Sequence, residues 1–408
     1  MRRVAVTGLG VVSALGVGTT AFWDALRSGR GGVGRITRFD PGGYAAQAAA
    51  EVRGFDSAAH FQDQDPEILD RFAQFALVAA AEAWRDASIQ LSDNEHDRAG
   101  AIVSSAMGGV ASQDEAYLRL YGKNNPRQHP FTVPRIMNNA AAGHVSMRFG
   151  LRGPTLSTAT ACAAGAHAIG EAAEMIRAGR ADLMVAGGAD APIAPGVLRS
   201  WEALRVLAPM ADDPARTCRP FSRDRLGMAL GEGAGVVILE SWERAQKRGA
   251  NILAELAGYG ATADAAHLTQ PGLDAPARAI ATALEQARLA PDAIDYVNAH
   301  GTATRLNDSA ETQILKQAFG AHAPRLAISS TKAMHGHAMG ASAAIEFVAT
   351  VLAMAHGLVP PTINLAEADP ECDLDYVPDV ARERPIRAAI SNSFAFGGLN
   401  AVLVVRRP

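Results

Sequence analysis

Cys162 lies in the run STATACAAGAH from Ser157 to His167, where a hydroxyl-rich approach meets an alanine-rich stretch of helical character. A thiol at a helix N-terminus faces the positive end of the dipole. That contributes up to ~2 kcal/mol, or about one to one and a half pKa units toward the thiolate, so Cys162 is the candidate nucleophile. Cys218 and Cys372 sit in charged loops without a comparable setting. A second stretch, VNAHGTAT from Val297 to Thr304, places His300 at the end of a predicted strand and follows it with Thr302 and Thr304. A third, SSTKAMHGH from Ser329 to His337, packs Lys332, His335 and His337 into six residues, again after a predicted strand. Lysine is scarce here, occurring only at positions 123, 247, 316 and 332. Neutral imidazole N–H groups can hydrogen-bond a developing oxyanion, where electrostatic catalysis gains most, and Lys332 adds fixed positive charge. These residue types suit a nucleophilic thiol working opposite oxyanion-binding imidazoles.

A fourth stretch, NSFAFGGLN from Asn392 to Asn400, ends a predicted strand with Phe394, Phe396 and the Gly397–Gly398 pair. Its glycines let backbone N–H groups approach a ligand, and a phenylalanine there can gate a pocket. His335 and His337 with a distant His300 also have the make-up of a zinc site. A lysine beside the ligands would repel the ion, so no metal is expected. The loop TGLGVVS from Thr7 lacks the third glycine and the downstream acidic residue of a dinucleotide site, so no nucleotide is expected.

Such residues need a scaffold, and the chain is long enough to build a large one. It has 408 residues, of which 48% are hydrophobic and 20% charged, the balance of a globular protein. A net charge of −4 gives no basic excess for nucleic acid. Three scattered cysteines do not make a disulfide framework, which favours a reducing, cytoplasmic setting. Met1-Arg2-Arg3 and the apolar run behind it look superficially like a signal peptide, but Gly8, Gly10 and Gly16 break the run. The apolar stretch from Ala341 to Val359 contains Glu346 and His356. It is therefore expected to be a buried core helix and not a membrane span.

Short aliphatic runs alternate with small-residue helical stretches, the pattern of a layered α/β fold. Strands are predicted at 3–7, 100–104, 183–186, 236–239, 294–298, 326–329, 388–391 and 401–405. Helices are predicted at 20–27, 71–87, 162–178, 242–248, 275–287, 308–319 and 338–356. The halves echo each other. Each has a strand leading into a candidate loop, then an Ala/Gly-rich helix, after Cys162 or after His337, then a strand followed by a Gly-Gly turn. The echo predicts a duplicated unit, divided as residues 1–250 with the nucleophile and 251–408 with the histidines. Two stacked sheets would enclose the two Ala/Gly-rich helices, whose small faces suit burial on all sides.

The motifs TACAAGAH, VNAHGTAT, SSTKAMHGH and NSFAFGGLN resemble, in order and spacing, those of β-ketoacyl-[acyl-carrier-protein] synthases, most of all the elongating 3-oxoacyl synthases of type II systems. The resemblance runs from Val4 to Val405. It implies the α/β thiolase fold, a duplicated five-layered αβαβα arrangement, usually dimeric and without a cofactor. It further implies a decarboxylative condensation. Cys162 takes an acyl chain from acyl carrier protein as a thioester, with the N–H groups of Cys162 and Phe396 as oxyanion hole. His300 and His337 hold the malonyl thioester carbonyl, and Lys332 polarises them within a network of Asp308, Glu311 and Glu346. By the same resemblance Thr302 and Thr304 hold the pantetheine arm, and Phe396 is the gate, flanked by Phe394 and Gly397. Asp264, His267 and Thr269 match a second mobile loop, and Met107 limits acyl depth. Arg127 and Arg205 would dock the acidic carrier. The usual gate reads GFGGTN; here Ala395 and Leu399 depart from it, and His335 stands where threonine is frequent. These departures resemble specialised synthases, for nodulation-factor or polyene chains, more than housekeeping ones. A partner subunit lacking activity usually lacks the nucleophile, which this chain keeps. An active subunit that works only with a homologous partner remains the alternative. A thiolase would need a second cysteine in a glycine-rich setting, which Cys372 does not have.

Overall fold

The computed structural model describes residues 2–61 and 65–408; Met1 lies outside the described residues. Ten strands carry the fold. The first five are β1 (Val4–Ser13), β2 (Ala99–Ser104), β3 (Thr155–Leu156), β4 (Leu183–Asp190) and β5 (Gly233–Ser241). The second five are β6 (Ala254–Ala263), β7 (Tyr296–Asn298), β8 (Ala327–Ser329), β9 (Ala388–Ala395) and β10 (Leu399–Arg406). The first set lies in the order β1-β5-β4-β2-β3 and the second in the order β6-β10-β9-β7-β8, so the topology repeats strand for strand. Senses repeat as well. The fifth strand of each set is antiparallel to both its neighbours, and the remaining pairs are parallel. Even the bulges correspond, falling between Val6 and Gly8 in β1 and between Leu256 and Gly258 in β6.

The aliphatic runs of β1, β4, β5 and β9 are buried throughout, which is why they show no polar alternation. Six helices matter for the site: α1 (Arg71–Asp86), α2 (Ala164–Arg177), α3 (Pro195–Ala203), α4 (Asp274–Ala287), α5 (Arg305–Phe319) and α6 (Ser342–His356). α1 covers the outer face of the first set of strands, and α4 covers the second. Between the sets, α2 and α6 pack on each other and on strands of both. The layers therefore run αβαβα. The membrane-length apolar helix Met339–His356 belongs to this middle layer and is 83% buried.

Four details differ from the sequence expectation. The two strand sets are not separate sheets: β1 and β6 pair over Ala5↔Glu255 and Val6↔Ala254 and join them. β6 itself is absent from the predicted strands, because AELAGYGATA is too rich in small residues to show a β signal. β3 is only two residues long and was likewise not predicted. The first Gly-Gly pair, Gly187–Gly188, lies inside β4 and not in a turn, whereas Gly397–Gly398 does turn between β9 and β10.

Close approach of the outer helices explains the glycines of β1 and β6. A Cβ on Gly10 would stand 1.9 Å from the Ala79 carbonyl oxygen of α1, and one on Gly260 would stand 2.0 Å from the Ala279 oxygen of α4. Gly10→Ala and Gly260→Ala are each expected to destabilise the protein by about 1–3 kcal/mol through overpacking, read as a lowered urea midpoint at unchanged slope.

Candidate active site

Cys162 sits in a 3-10 turn, Ala161–Ala163, that opens directly into α2. Ala161 before it has φ of +48°, a left-handed conformation that costs a non-glycine residue energy and clusters at functional sites. The first turn of α2 lies against the start of the middle helix of the other half. A Cβ on Gly165 would be 2.8 Å from the Gly340 oxygen and 3.0 Å from Ala344, so the two helix starts touch backbone to backbone. Asp190, at the end of β4, ties Gly340 to the loop after β2. Its carboxylate accepts from the N–H groups of Ala106 (3.0 Å), Met107 (3.1 Å) and Gly340 (2.7 Å).

This contact brings the predicted thiol and imidazoles together. One donor atom each from Cys162, His300 and His337 lies within 4.8 Å of the others, and all three residues are buried. The two imidazoles meet edge to face at 5.6 Å, and Phe394 stands edge-on to His300 at 6.2 Å. His300 follows β7, where Glu311 of α5 accepts the N–H groups of His300 (2.8 Å) and Gly301 (2.7 Å). His337 is oriented from the other side. Its Nδ1 accepts the N–H of Met339 at 3.1 Å, which leaves the ring proton on Nε2.

Lys332 is fully buried. Its ammonium donates to the His300 carbonyl at 2.6 Å, stands 3.4 Å from His300 Nδ1, and pairs with Glu346 of α6, which is equally buried. Burial, then Lys332, then the neighbouring histidine hold both His300 and His337 well below the ordinary imidazole pKa. Both rings are neutral at pH 7. The carboxyl of Glu346 is pushed up to about 7 by burial against the pull of Lys332, and Glu311 is pushed up to about 6 by burial. The thiol departs from the sequence expectation. Burial raises Cys162 to about 12 although Lys332 pulls it down. Desolvation of the charged form outweighs the helix dipole, so the resting group is a thiol.

The other predicted residues divide. Thr302 and Thr304 share a 2.8 Å hydrogen bond between hydroxyls and line a cavity of 380 Å³ with Cys162, His300, His337 and Phe394. Phe396, Thr269, Asp264 and Arg205 line the same cavity, and Gly397 is bound to its rim, donating to the Leu268 oxygen at 2.7 Å. His267 Nδ1 accepts the N–H of Thr269 at 3.1 Å, and the Asp264 carboxylate accepts from Asn400 Nδ2 (2.7 Å) and Gly272 N–H (2.8 Å). Ala395 and Leu399 face each other across the β9–β10 pair.

Met107 does not line the cavity; it packs beside it in an apolar cluster with Ile193, Leu198 and Met339. Asp308 is not in contact with Lys332; it accepts the Phe221 N–H at 2.8 Å and lies 3.6 Å from Arg225. Arg127 is exposed and does not line the cavity. His335 turns away, its Nδ1 meeting the Gly336 oxygen (2.9 Å) and its Nε2 the Thr331 hydroxyl (3.0 Å). The three-histidine zinc grouping is therefore not assembled, and the Lys332 ammonium opposes a dication beside His300. The sequence reading missed Trp201, Arg305, Asn307 and Asn400, which also line the cavity; they lie outside the motifs quoted for chemistry, except Asn400, which was passed over at the end of its own.

Residues 1–245 match the family described as "Beta-ketoacyl synthase, N-terminal domain", and residues 253–366 match its C-terminal domain. The chain belongs to the β-ketoacyl synthase family. Among its relatives, Nodulation protein E of Rhizobium sp. (strain N33) is 45% identical over 100% of this chain and 99% of the relative. 3-oxoacyl-[acyl-carrier-protein] synthase 2 of Synechocystis sp. is 42% identical over 100% and 98%. A solved type II PKS ketosynthase, in complex with its acyl-carrier protein, superposes with a TM-score of 0.92 at 37% identity, covering 100% of this chain and 99% of the other. The αβαβα layers and repeated strand order described above are thus those of a ketosynthase.

The buried Lys332–Glu346 pair offers a direct test of the electrostatic frame. Lys332→Met leaves the Glu346 carboxyl buried without its cation and is expected to cost about 3–5 kcal/mol in urea unfolding. The double variant with Glu346→Gln should recover part of that loss.

Proposed function

We propose that this chain is a β-ketoacyl-[acyl-carrier-protein] synthase that elongates an acyl chain by decarboxylative condensation with malonyl carrier protein. The observation that carries the reading is the meeting of one buried thiol and two neutral imidazoles on a single cavity. Residues 1–250 supply the nucleophile and 251–408 the two histidines.

In the first half-reaction the Cys162 sulfur attacks the acyl thioester carbonyl. The new carbon–sulfur bond forms, the carrier thiolate leaves, and the thiol proton goes with it. The N–H groups of Cys162 and Phe396 hold the transient oxyanion, and that of Phe396 serves no other hydrogen bond among the described residues. Each such donor is worth about 10²–10³ in rate. In the second half-reaction the malonyl thioester carbonyl sits between the Nε2–H groups of His300 and His337. Loss of carbon dioxide leaves its electron pair as an enolate, which those neutral donors stabilise. The enolate carbon attacks the acyl–Cys162 carbonyl, and the Cys162 thiolate departs and regains a proton. Neutral imidazoles suit this role, because the proton stays on the ring while charge develops on oxygen.

The pantetheine arm lies along Thr302 and Thr304, with Phe394, Phe396, Gly397 and Thr269 at its side. Arg205, with Arg305, stands exposed at the cavity mouth, and Arg127 offers a further basic contact for an acidic carrier. Likeness to Nodulation protein E, together with Ala395 and Leu399 in the gate, supports a specialised pathway over primary fatty-acid synthesis. We place the protein in the cytoplasm. We also infer that it works as a pair, with a second copy or a homologous subunit. Exposed Tyr117, Leu118, Tyr121, Phe131, Val133, Met137 and Met147, all within one stretch of the chain, support that inference as apolar side chains a second subunit would cover.

Two measurements test the reading. Cys162→Ala should abolish acyl loading, followed by intact mass, while malonyl decarboxylation stays measurable. His300→Ala or His337→Ala should lose decarboxylation by about 10² or more yet still load acyl; equal loss of both half-reactions in every variant contradicts the division of roles. Light scattering of the protein expressed alone should give twice the 42.6 kDa chain mass. A single-chain mass would instead indicate dependence on a different subunit.

A further inference from the structure

Trp201 stands on a rigid support. α3 is pinned at both ends: Glu202 accepts the N–H groups of Ala45 (2.7 Å) and Ala46 (3.0 Å), and the Tyr44 hydroxyl donates to the Pro195 oxygen at 3.3 Å. Arg199 fastens the same segment, bonding Glu202 at 2.8 Å and lying 3.9 Å over the Tyr44 ring. Phe396 leaves from a glycine turn. The two residues after it, Gly397 and Gly398, have φ of 84° and 67°, which glycine adopts without the strain a side chain would bring, and Gly397 N–H donates to the Leu268 oxygen at 2.7 Å. The Phe396 ring stacks on the Trp201 indole at 6.1 Å with 24° between planes. Both rings are half-buried and line the cavity that holds Cys162.

We propose that Trp201 is a positioning residue that latches the Phe396 gate shut, so that an acyl chain bound for Cys162 must part the two rings and take Phe396's place on the indole face. This rests on the synthase reading above and adds what holds the gate closed. Ala395 stiffens the turn, and Trp201 gives the stiffened turn one preferred resting place. Parting a stacked aromatic pair slows acyl admission by roughly 2–10-fold.

The test uses the full chain, a saturating acyl-pantetheine thioester and timed intact-mass detection of acyl on Cys162, with malonyl-pantetheine decarboxylation followed in parallel. Trp201→Ala should raise the ratio of loading to decarboxylation rates roughly 2–10-fold, and Trp201→Phe, which keeps a ring to stack on, should restore a ratio near that of the parent chain. Tryptophan emission of the parent chain should change with the time course of loading, and this change should be missing in Trp201→Phe. A ratio in Trp201→Ala at or below the parent value overturns the latch, and so does an emission change that survives in Trp201→Phe. If Trp201→Ala does not fold, the emission comparison decides alone. No loading at all by the parent chain overturns the synthase reading and the latch with it; loading with an unmoved ratio overturns the latch only.

Discussion

The site depends on one contact: the backbone-to-backbone meeting of the first turns of α2 and α6. Cys162 precedes one helix and His337 precedes the other, so the approach of Gly165 to Gly340 sets the distance between nucleophile and imidazole. A larger residue at either position would push the helices apart. Catalytic placement suffers from shifts of about 1 Å, so the small faces of the middle layer are part of the chemistry as well as of the packing. Asp190 braces one side of the junction, accepting the N–H of Gly340 together with those of Ala106 and Met107 in the loop after β2.

Around that contact the structure buries several groups that water would otherwise stabilise. Lys332 and Glu346 are both fully enclosed, and their attraction in a low-dielectric interior offsets a desolvation cost of several kcal/mol per ion. The arrangement has a use. Burial, and then the cation beside them, keep the two imidazoles unprotonated, which on the proposed reading leaves them as neutral donors to a developing negative charge. The thiol follows the same rule in the opposite sense, because burial keeps it protonated.

Much of this was legible in the residues. The order and spacing of four motifs located Cys162, His300, Lys332, His337 and Phe396, and the echo between halves anticipated a duplicated α/β fold with small-faced helices inside. What escaped did so for physical reasons. β6 is built from alanine and glycine because α4 lies against it, and that packing erases the aliphatic pattern that marks a strand. The Cys162 pKa was read from a local dipole, whereas the decisive quantity, desolvation, depends on what the distant helix α6 covers. His335 shares its motif with His337, but one residue of turn between them, Gly336, sends the rings in different directions. Trp201 carries no recognisable chemistry of its own, and only the fold sets it against Phe396. The surroundings of Met107 and Asp308 also come only from the fold: the first packs beside the cavity, and the second braces Phe221 and Arg225.

The pairing of β1 with β6, and the tie from Asp190 to Gly340, bear on how the chain matures. On the ribosome the segment carrying Cys162 emerges well before residues 340–356 are made. Until then α2 has no cover on its inner side and Asp190 lacks one of its donors. Loop-closure entropy over such separations makes these contacts late ones. The thiol therefore spends synthesis in a half-built, water-accessible shell, and the desolvated environment that defines its reactivity comes into being only as the last quarter of the polypeptide docks.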